Sequence, residues 1–276
     1  MSLTLDLPET AAPETGSGSL LFVGNATVLT RYGGFTILTD PTFVHRHEKV
    51  PLGYGLSSTR LTDPAVDIAD LPPLDLILLS HFHGDHFDQV AQRDLDRSLP
   101  VVTTAEAADK LNQRGFANTH PLETWESLEV TKGGARLRIT ACPGRHGPGV
   151  TDLVLPDVMG SVLEFAPEGE AVTQRLYVSG DTLVYDDLNE IPRRHPELDL
   201  GLLHLGGTKV MGIMVTMDAD QGVQAAQLIG ARHVLPIHYD DYDVFTSGLP
   251  EFMAAVEQAG LTGQVTPWRR GDTYSL

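Results

Sequence analysis

Only one cysteine, Cys142, occurs in the chain, so no internal disulfide framework can hold the fold. Its place in a strand-like run marks it as a small buried hydrophobe. No apolar run approaches the roughly 18 residues that suggest a membrane-spanning helix. Cationic side chains are scarce too: 19 Lys and Arg face 37 Asp and Glu, for a formal net charge of −18. Binding a phosphate backbone needs a basic surface, so this balance argues against nucleic acid as substrate or partner. Most of the acidic residues read as a solvated surface. No repeat of solenoid period is visible. Residues 1–18, rich in Thr, Glu, Pro, Gly and Ser, read as a flexible lead-in. They lack the basic start and apolar core of a signal peptide, and a cytoplasmic location is the expectation.

At 276 residues with 41% hydrophobic content, the remaining stretch, residues 19–276, reads as one α/β domain with a sizeable core. Leu20 to Val23, Ala26 to Arg31 and Phe35 to Thr39 read as short strands, with Tyr32-Gly33-Gly34 as a hairpin turn. Helices are expected at Ala105 to Gln113, Asp218 to Ile229 and Leu249 to Gln258. Met217-Asp218-Ala219-Asp220 gives the second of these an acidic start that suits the helix dipole.

The richest stretch is His81-Phe82-His83-Gly84-Asp85-His86, which follows the apolar run Leu74 to Ser80. Side chains alternate along an extended segment, so His81 and His83 project to one side and can reach one ion. Gly84 permits a sharp turn. Beyond it, Asp85 and His86 are expected to open a helix through Asp94 and serve a neighbouring position. A lone histidine is usually a surface or core residue, but four metal-capable side chains at this spacing read as half of a metal centre. Three later runs end in further candidates. Arg136 to Cys142 leads to His146, Arg175 to Val178 leads to Asp181, and His233 to Ile237 leads to His238. Taken singly, these could be a solvated loop histidine, a turn aspartate and a sheet-end histidine.

In that order the motifs resemble the metallo-β-lactamase superfamily of metal-dependent hydrolases over about residues 19–240. Within it, the branch of the L-ascorbate-6-phosphate lactonases and N-acyl phosphatidylethanolamine phospholipase D enzymes is the most similar. Gly24 to Leu29, Leu38-Thr39-Asp40-Pro41, Ser80 to Asp88 and Ser179-Gly180-Asp181-Thr182 carry the likeness. The resemblance implies a four-layer αββα sandwich and two divalent ions. His81, His83 and His146 would hold one ion, Asp85, His86 and His238 the other, and Asp181 would bridge them. Asp85 and Asp181 are thus the expected catalytic carboxylates. Two such ions share a water at ~3.5–4 Å separation, and coordination brings its pKa towards about 7, making a metal-bound hydroxide available as nucleophile. Two ions against two carboxylates and one hydroxide leave a centre of about +1, suited to an anionic or carbonyl substrate. Imidazole and carboxylate ligands accept Zn, Mn, Fe or Ni, with zinc or manganese expected. The iron-based redox members of the superfamily generally carry Glu where this chain has His83, together with an appended electron-transfer domain. Neither feature is visible here.

The expected activity is therefore dinuclear hydrolysis of a small ester, lactone or phosphodiester. The competing readings are a phosphodiesterase within that class and, outside it, a non-catalytic metal-stabilised binding module. A homo-oligomer is compatible with the resemblance, but no interface is legible. Substrate contacts should lie in the loops. The 41–60 segment reads as a candidate lid, and Arg145, Lys209, His45 and His47 are weak substrate-binding candidates, each with a plain surface residue as its alternative. His204 reads as structural. Asp240, Asp241 and Asp243 read equally as an acidic loop or as groups that orient ligands.

Overall fold

The computed structural model describes residues 3–8, 18–53, 55–149 and 155–276. The chain begins β1 (Leu3–Asp6), β2 (Ser19–Gly24), β3 (Thr27–Tyr32), β4 (Phe35–Thr39), β5 (Lys49–Gly53), β6 (Leu56–Thr59), β7 (Leu76–Leu78), α1 (Gln89–Asp94), β8 (Val101–Thr103), α2 (Ala105–Asn112) and β9 (Thr119–Pro121). It continues β10 (Ser127–Lys132), β11 (Ala135–Pro143), β12 (Met159–Pro167), β13 (Gln174–Val178), α3 (Glu190–Arg194), β14 (Leu200–His204), β15 (Lys209–Val210), β16 (Ile213–Met214), α4 (Ala219–Ile229), β17 (His233–Ile237), α5 (Leu249–Gln258) and β18 (Thr273–Ser275).

Two seven-stranded sheets result, one ordered β18-β2-β3-β4-β7-β8-β9 and the other β1-β10-β11-β12-β13-β14-β17. Period-2 alternation gives the first sheet two buried faces. Val28, Ile37, Leu76 and Leu78 point into a core shared with Leu137, Ile139, Val162 and Phe165 of the second sheet. Their neighbours Leu29, Leu38, Ile77 and Leu79 point the other way, against Ala91 and Leu95 of the α1 region and Ala107 and Leu111 of α2. On the far side of the second sheet, Ala226 and Ile229 of α4 and Phe252 and Val256 of α5 join the same contiguous apolar cluster. Gly222 makes that packing close, because a Cβ there would stand 2.7 Å from Leu205 and 2.8 Å from Phe252. The layers are helix, sheet, sheet, helix, which is the expected sandwich. Each large apolar side chain that is fully buried contributes roughly 1.5–3 kcal/mol.

Local signals hold in detail. Gly33 and Gly34 take φ of 59° and 86° between β3 and β4, the double left-handed turn a tight hairpin needs. Asp218 caps α4 by accepting from Gln221 N at 3.0 Å, and Gly230 ends that helix at φ 62°. Within residues 1–18 the structure differs from a flexible lead-in, since β1 pairs in parallel with β10, Leu3 opposite Leu128 through Asp6 opposite Thr131. The alternation Leu3, Leu5, Leu7 was outweighed by the polar composition around it; residues 1–2 and 9–17 lie outside the described residues. At the other end β18 joins the first sheet beside β2, so each terminal strand is seated in the sheet built mainly from the opposite half of the chain. No helix among the described residues is long and apolar enough to cross a membrane.

Strand polarity assembles the site. β4 runs parallel to β7, and β13, β14 and β17 run parallel to one another. β11, separated from β13 by two antiparallel pairings, shares their direction. The carboxyl ends of these strands gather at one edge, where Met159 N donates to the Ser80 carbonyl at 3.0 Å and joins the sheets.

Candidate metal centre

Every sequence-predicted ligand lies in a segment that follows one of those strand ends. His81, His83, Asp85 and His86 follow β7, His146 follows β11, Asp181 follows β13 and His238 follows β17. Among the described residues four groups form, each with ligand atoms within 4.8 Å of one another: His81, His83 and His146; His81, His86 and Asp181; Asp85, His86 and His238; and, behind His86, Asp40, His86 and His204. His81 Nε2 lies 3.2 Å from His83 Nδ1, which lies 3.4 Å from His146 Nε2. On the other side, Asp85 Oδ2 stands 4.0 Å from His86 Nε2 and 3.6 Å from His238 Nε2. Asp181 lies between the two, 3.3 Å from His86 Nε2.

The expected helix from Asp85 does not begin there. His86 N and Phe87 N both donate to the His83 carbonyl, which closes a turn, and α1 starts only after Asp88, whose carboxylate caps Ala91 N at 2.8 Å. Gly84 is required for a reason other than turn conformation. Its φ is not in the left-handed region, but a Cβ would stand 2.4 Å from the Pro51 carbonyl oxygen, which accepts from Gly84 N at 3.0 Å. The β5–β6 hairpin thereby rests on the ligand loop, and a Cβ on Gly53 would lie 4.0 Å from His83 Nε2.

Hydrogen bonds fix which nitrogen of each ring faces inward. A carbonyl can only accept, so His146 Nδ1 donates to Val215 O at 2.8 Å and His238 Nδ1 donates to Leu205 O at 2.9 Å. His86 Nδ1 donates to Asp40 Oδ2 at 3.0 Å. The Nε2 atoms are left to the centre, an arrangement that orients histidine ligands. Four buried atoms there, His86 Nε2, His238 Nε2, Asp85 Oδ1 and Asp181 Oδ1, have no hydrogen-bond partner. Buried polar atoms ordinarily have partners, so an inward-facing set of imidazole and carboxylate donors fits divalent cations.

The electrostatics divide the centre. Burial, then the rings of His86, His83 and His146, hold His81 well below an ordinary imidazole. Burial and His146 bring His83 down to about 4, and burial lowers His146. Burial also opposes charge on His86, yet Asp181, Asp85 and Asp40 outweigh it and raise its pKa well above the usual value. His238 is raised against burial chiefly by Asp181. Burial pushes against ionisation of Asp181, but His238 and His86 hold it well below the carboxylate range. A field that raises two buried imidazoles against their burial is one that a divalent cation can occupy.

Several partners were not singled out from sequence. Asp40, fully buried, takes His86 and also Ser80 N at 2.7 Å, and burial notwithstanding, His86 and His204 hold its carboxyl at about 2. Asn25 ties two ligands together: its Nδ2 donates to the Asp85 carbonyl at 2.6 Å and its own carbonyl accepts from His238 N at 2.8 Å. Thr216 Oγ1 donates to Asp181 Oδ2 at 3.2 Å. Asn25, Asp40 and His238 all sit at positive φ (53°, 34° and 61°), a strained conformation that clusters at functional sites. A polar residue ending an apolar strand was the available signal for Asp40 and His204.

Of the three acidic residues near His238, Asp241 reaches the centre indirectly. It accepts from Asn25 N at 2.6 Å while paired with the fully buried Arg60 and with Arg270. Asp243 instead accepts from Ser58 and Thr59, and burial with Asp241 nearby pushes Asp240 to about 6. The weak substrate candidates are not drawn into the ligand groups. His45 is exposed and bonded to Asp67 at 2.8 Å, and His47 is an exposed turn residue at φ 74°. Arg145 places its guanidinium 4.1 Å from the centre of the Tyr185 ring, beside His146. Lys209 is exposed on the β15–β16 hairpin, whose root residues Val215 and Thr216 hold His146 and Asp181. Cys142 is buried as expected, and burial pushes its thiol up to about 12.

Comparison with known proteins identifies the family and the fold. The family described as "Beta-lactamase superfamily domain" matches residues 36–239. A UPF0173 metal-dependent hydrolase of Shouchella clausii is 30% identical over 92% of this chain and 97% of its own. Among solved structures, the isothiocyanate hydrolase from Delia radicum gut bacteria superposes with a TM-score of 0.77 at 21% identity, over 94% of this chain and 99% of that one. A possible metal-dependent hydrolase from Veillonella parvula gives a TM-score of 0.78 at 18% identity, over 95% and 100%. At such identities these structures speak for the fold alone. With the family match and the curated relative together, the chain belongs to the metallo-β-lactamase superfamily, in the family of UPF0173 metal-dependent hydrolases.

Proposed function

We propose that the chain is a dinuclear metal-dependent hydrolase of a small ester, lactone or phosphodiester. The observation that carries this reading is the set of buried, unpartnered donors on His86, His238, Asp85 and Asp181, beside three imidazoles kept neutral by burial. His81, His83 and His146 would hold one ion and Asp85, His86 and His238 the second, with Asp181 shared. Zinc or manganese suits these ligands. When bound, the ions would supply an activated water near neutral pH and polarise a substrate oxygen.

The protein's own groups have the remaining tasks. Asp40, Val215 and Leu205 orient the imidazoles, Thr216 orients Asp181, and Asn25 fixes the spacing of Asp85 and His238. His83 is half-buried while the other ligands are buried, so substrate approaches from its side, near the β5–β6 hairpin. Within the hydrolase class, a carboxyl ester or lactone is favoured over a phosphodiester by the motif resemblance.

Metal analysis of protein purified without added metal should find about two equivalents of zinc or manganese. Asp85→Asn and His238→Ala should sharply reduce turnover in a parallel screen of lactones, esters, phosphodiesters and phosphonates while leaving most of the fold intact. Full turnover after chelation and metal-free dialysis would defeat the reading. Metal binding with no turnover across the screen would favour the inert module.

A further inference from the structure

The carboxyl end of β14 places two consecutive residues behind one metal position. Leu205 accepts from His238 Nδ1 at 2.9 Å. His204 Nε2 lies 3.3 Å from Asp40 Oδ2, the oxygen that takes His86 Nδ1 at 3.0 Å. Both imidazoles of the second position are therefore oriented from a single strand end. His204 is itself fixed, with Nδ1 3.2 Å from Ser179 Oγ and its backbone N donating to that same oxygen at 2.9 Å. Asp40 follows β4 of the first sheet and His204 ends β14 of the second, so their contact crosses between the sheets. The first position has no contact with His204: His81 Nδ1 meets the adjacent Ser80 Oγ at 3.0 Å, which in turn donates to Asp40 Oδ2 at 2.8 Å, and His146 Nδ1 meets Val215 O.

We infer that His204 is a positioning residue for the second metal position, keeping Asp40 Oδ2 on His86 Nδ1, so that the number of ions retained depends on it. Asp40, His86 and His204 are each 0% exposed, and no bulk solvent reaches them to replace a lost donor. Ser80 N and Oγ hold the two Asp40 oxygens from the first sheet at 2.7 and 2.8 Å, so without His204 the carboxylate loses the one contact that reaches Oδ2 from the second sheet, and the hydrogen bond that sets the His86 ring is loosened. Groups that orient a metal-bound histidine in this way typically change metal affinity 10–100-fold. The inference rests on the two-position reading above.

The test compares zinc-loaded wild type, His204→Leu, His204→Gln and Ser179→Ala after dialysis against graded chelator, with bound zinc counted by mass spectrometry. Wild type should retain two equivalents. His204→Leu keeps the volume without the donor and should release one equivalent at about 10–100-fold lower chelator while the other is held as in wild type. His204→Gln, whose carboxamide N–H reaches a similar place, should restore the second equivalent. Ser179→Ala should shift release in the same direction by less, and serves if the leucine variant does not fold. Parallel loss of both equivalents, retention of both, or a glutamine variant that behaves like leucine would overturn the proposal. A wild type holding a single equivalent would defeat the two-position reading, and this inference with it.

Discussion

The two halves of the ligand cluster, each proposed to hold one ion, are built on the same edge but by opposite means. At the first, burial dominates: His81, His83 and His146 are all pushed towards the neutral form, and His83 remains half-buried beside the β5–β6 hairpin. At the second, charge dominates: Asp181, Asp85 and Asp40 outweigh burial and raise His86, and Asp181 and Asp85 do the same for His238. The first therefore offers lone pairs at an accessible edge, and the second offers a sealed negative field. The difference teaches that a ligand motif confined to six residues can supply two electrostatically distinct sites, because the partners that complete each come from different loops.

The comparison breaks most completely at Asp181, the side chain both positions share. Asp181→Ala should release both ions, with turnover falling by roughly a thousandfold or more, as read by metal analysis and steady-state kinetics. Loss of one ion alone would show that the positions are independent. Asp40→Asn sharpens the contrast, because Asp40 meets the second position directly through His86 and the first only through Ser80. It should weaken the second position about 10–100-fold and the first by less, followed by competitive chelator titration. Gly84→Ala bears on the first position, since its methyl meets Pro51 and must displace either the hairpin or the His83 turn. A destabilisation of about 1–3 kcal/mol is expected in denaturant titration, with zinc held less tightly at His83 than at His86.

Glu164, away from the metals, provides the smallest effect. His195 leads the causes that outweigh burial, and with Arg175 it holds this carboxyl at about 2, against an ordinary value of 4.5. Since the folded-state pKa is depressed, the stabilisation is complete above pH 4.5 and is lost as pH falls through 4.5 towards 2. Glu164→Gln should cost about 1 kcal/mol at pH 7, a melting shift of about 2–4 °C, and the difference from wild type should fade below pH 4 without change in metal content. Equal melting shifts at pH 7 and pH 3 would remove the ion pair as the cause.

Much of the fold is legible because its signals are local. α5 spans Leu249–Gln258 as the periodicity indicates, and the Gly33-Gly34 turn follows from the conformation only glycine takes cheaply. The ligands are legible for the same reason, since imidazoles at alternate positions after an apolar run have few other uses. Local signals mislead where the deciding contact is distant. Asp85 and His86 carry a helix-start pattern, but the cap is Asp88, bonded also to Phe43 N and Val44 N, and the polar lead-in conceals a strand whose partner lies more than a hundred residues on.

The sequence by itself marked an α/β chain and a candidate metal-binding motif, because alternation, turn residues and ligand spacing act within a few residues of one another, while the αββα order and the seven-residue ligand set followed from the family resemblance. Tertiary structure alone decided that Asp40 and His204 meet behind His86, that Asn25 joins Asp85 to His238, and that Pro51 makes Gly84 obligatory. Those contacts span from 33 to 213 positions along the chain and exist only once the two sheets have packed with their carboxyl ends on one edge. Which buried polar group meets which is set by the relative placement of the sheets, a property that no local stretch of residues encodes.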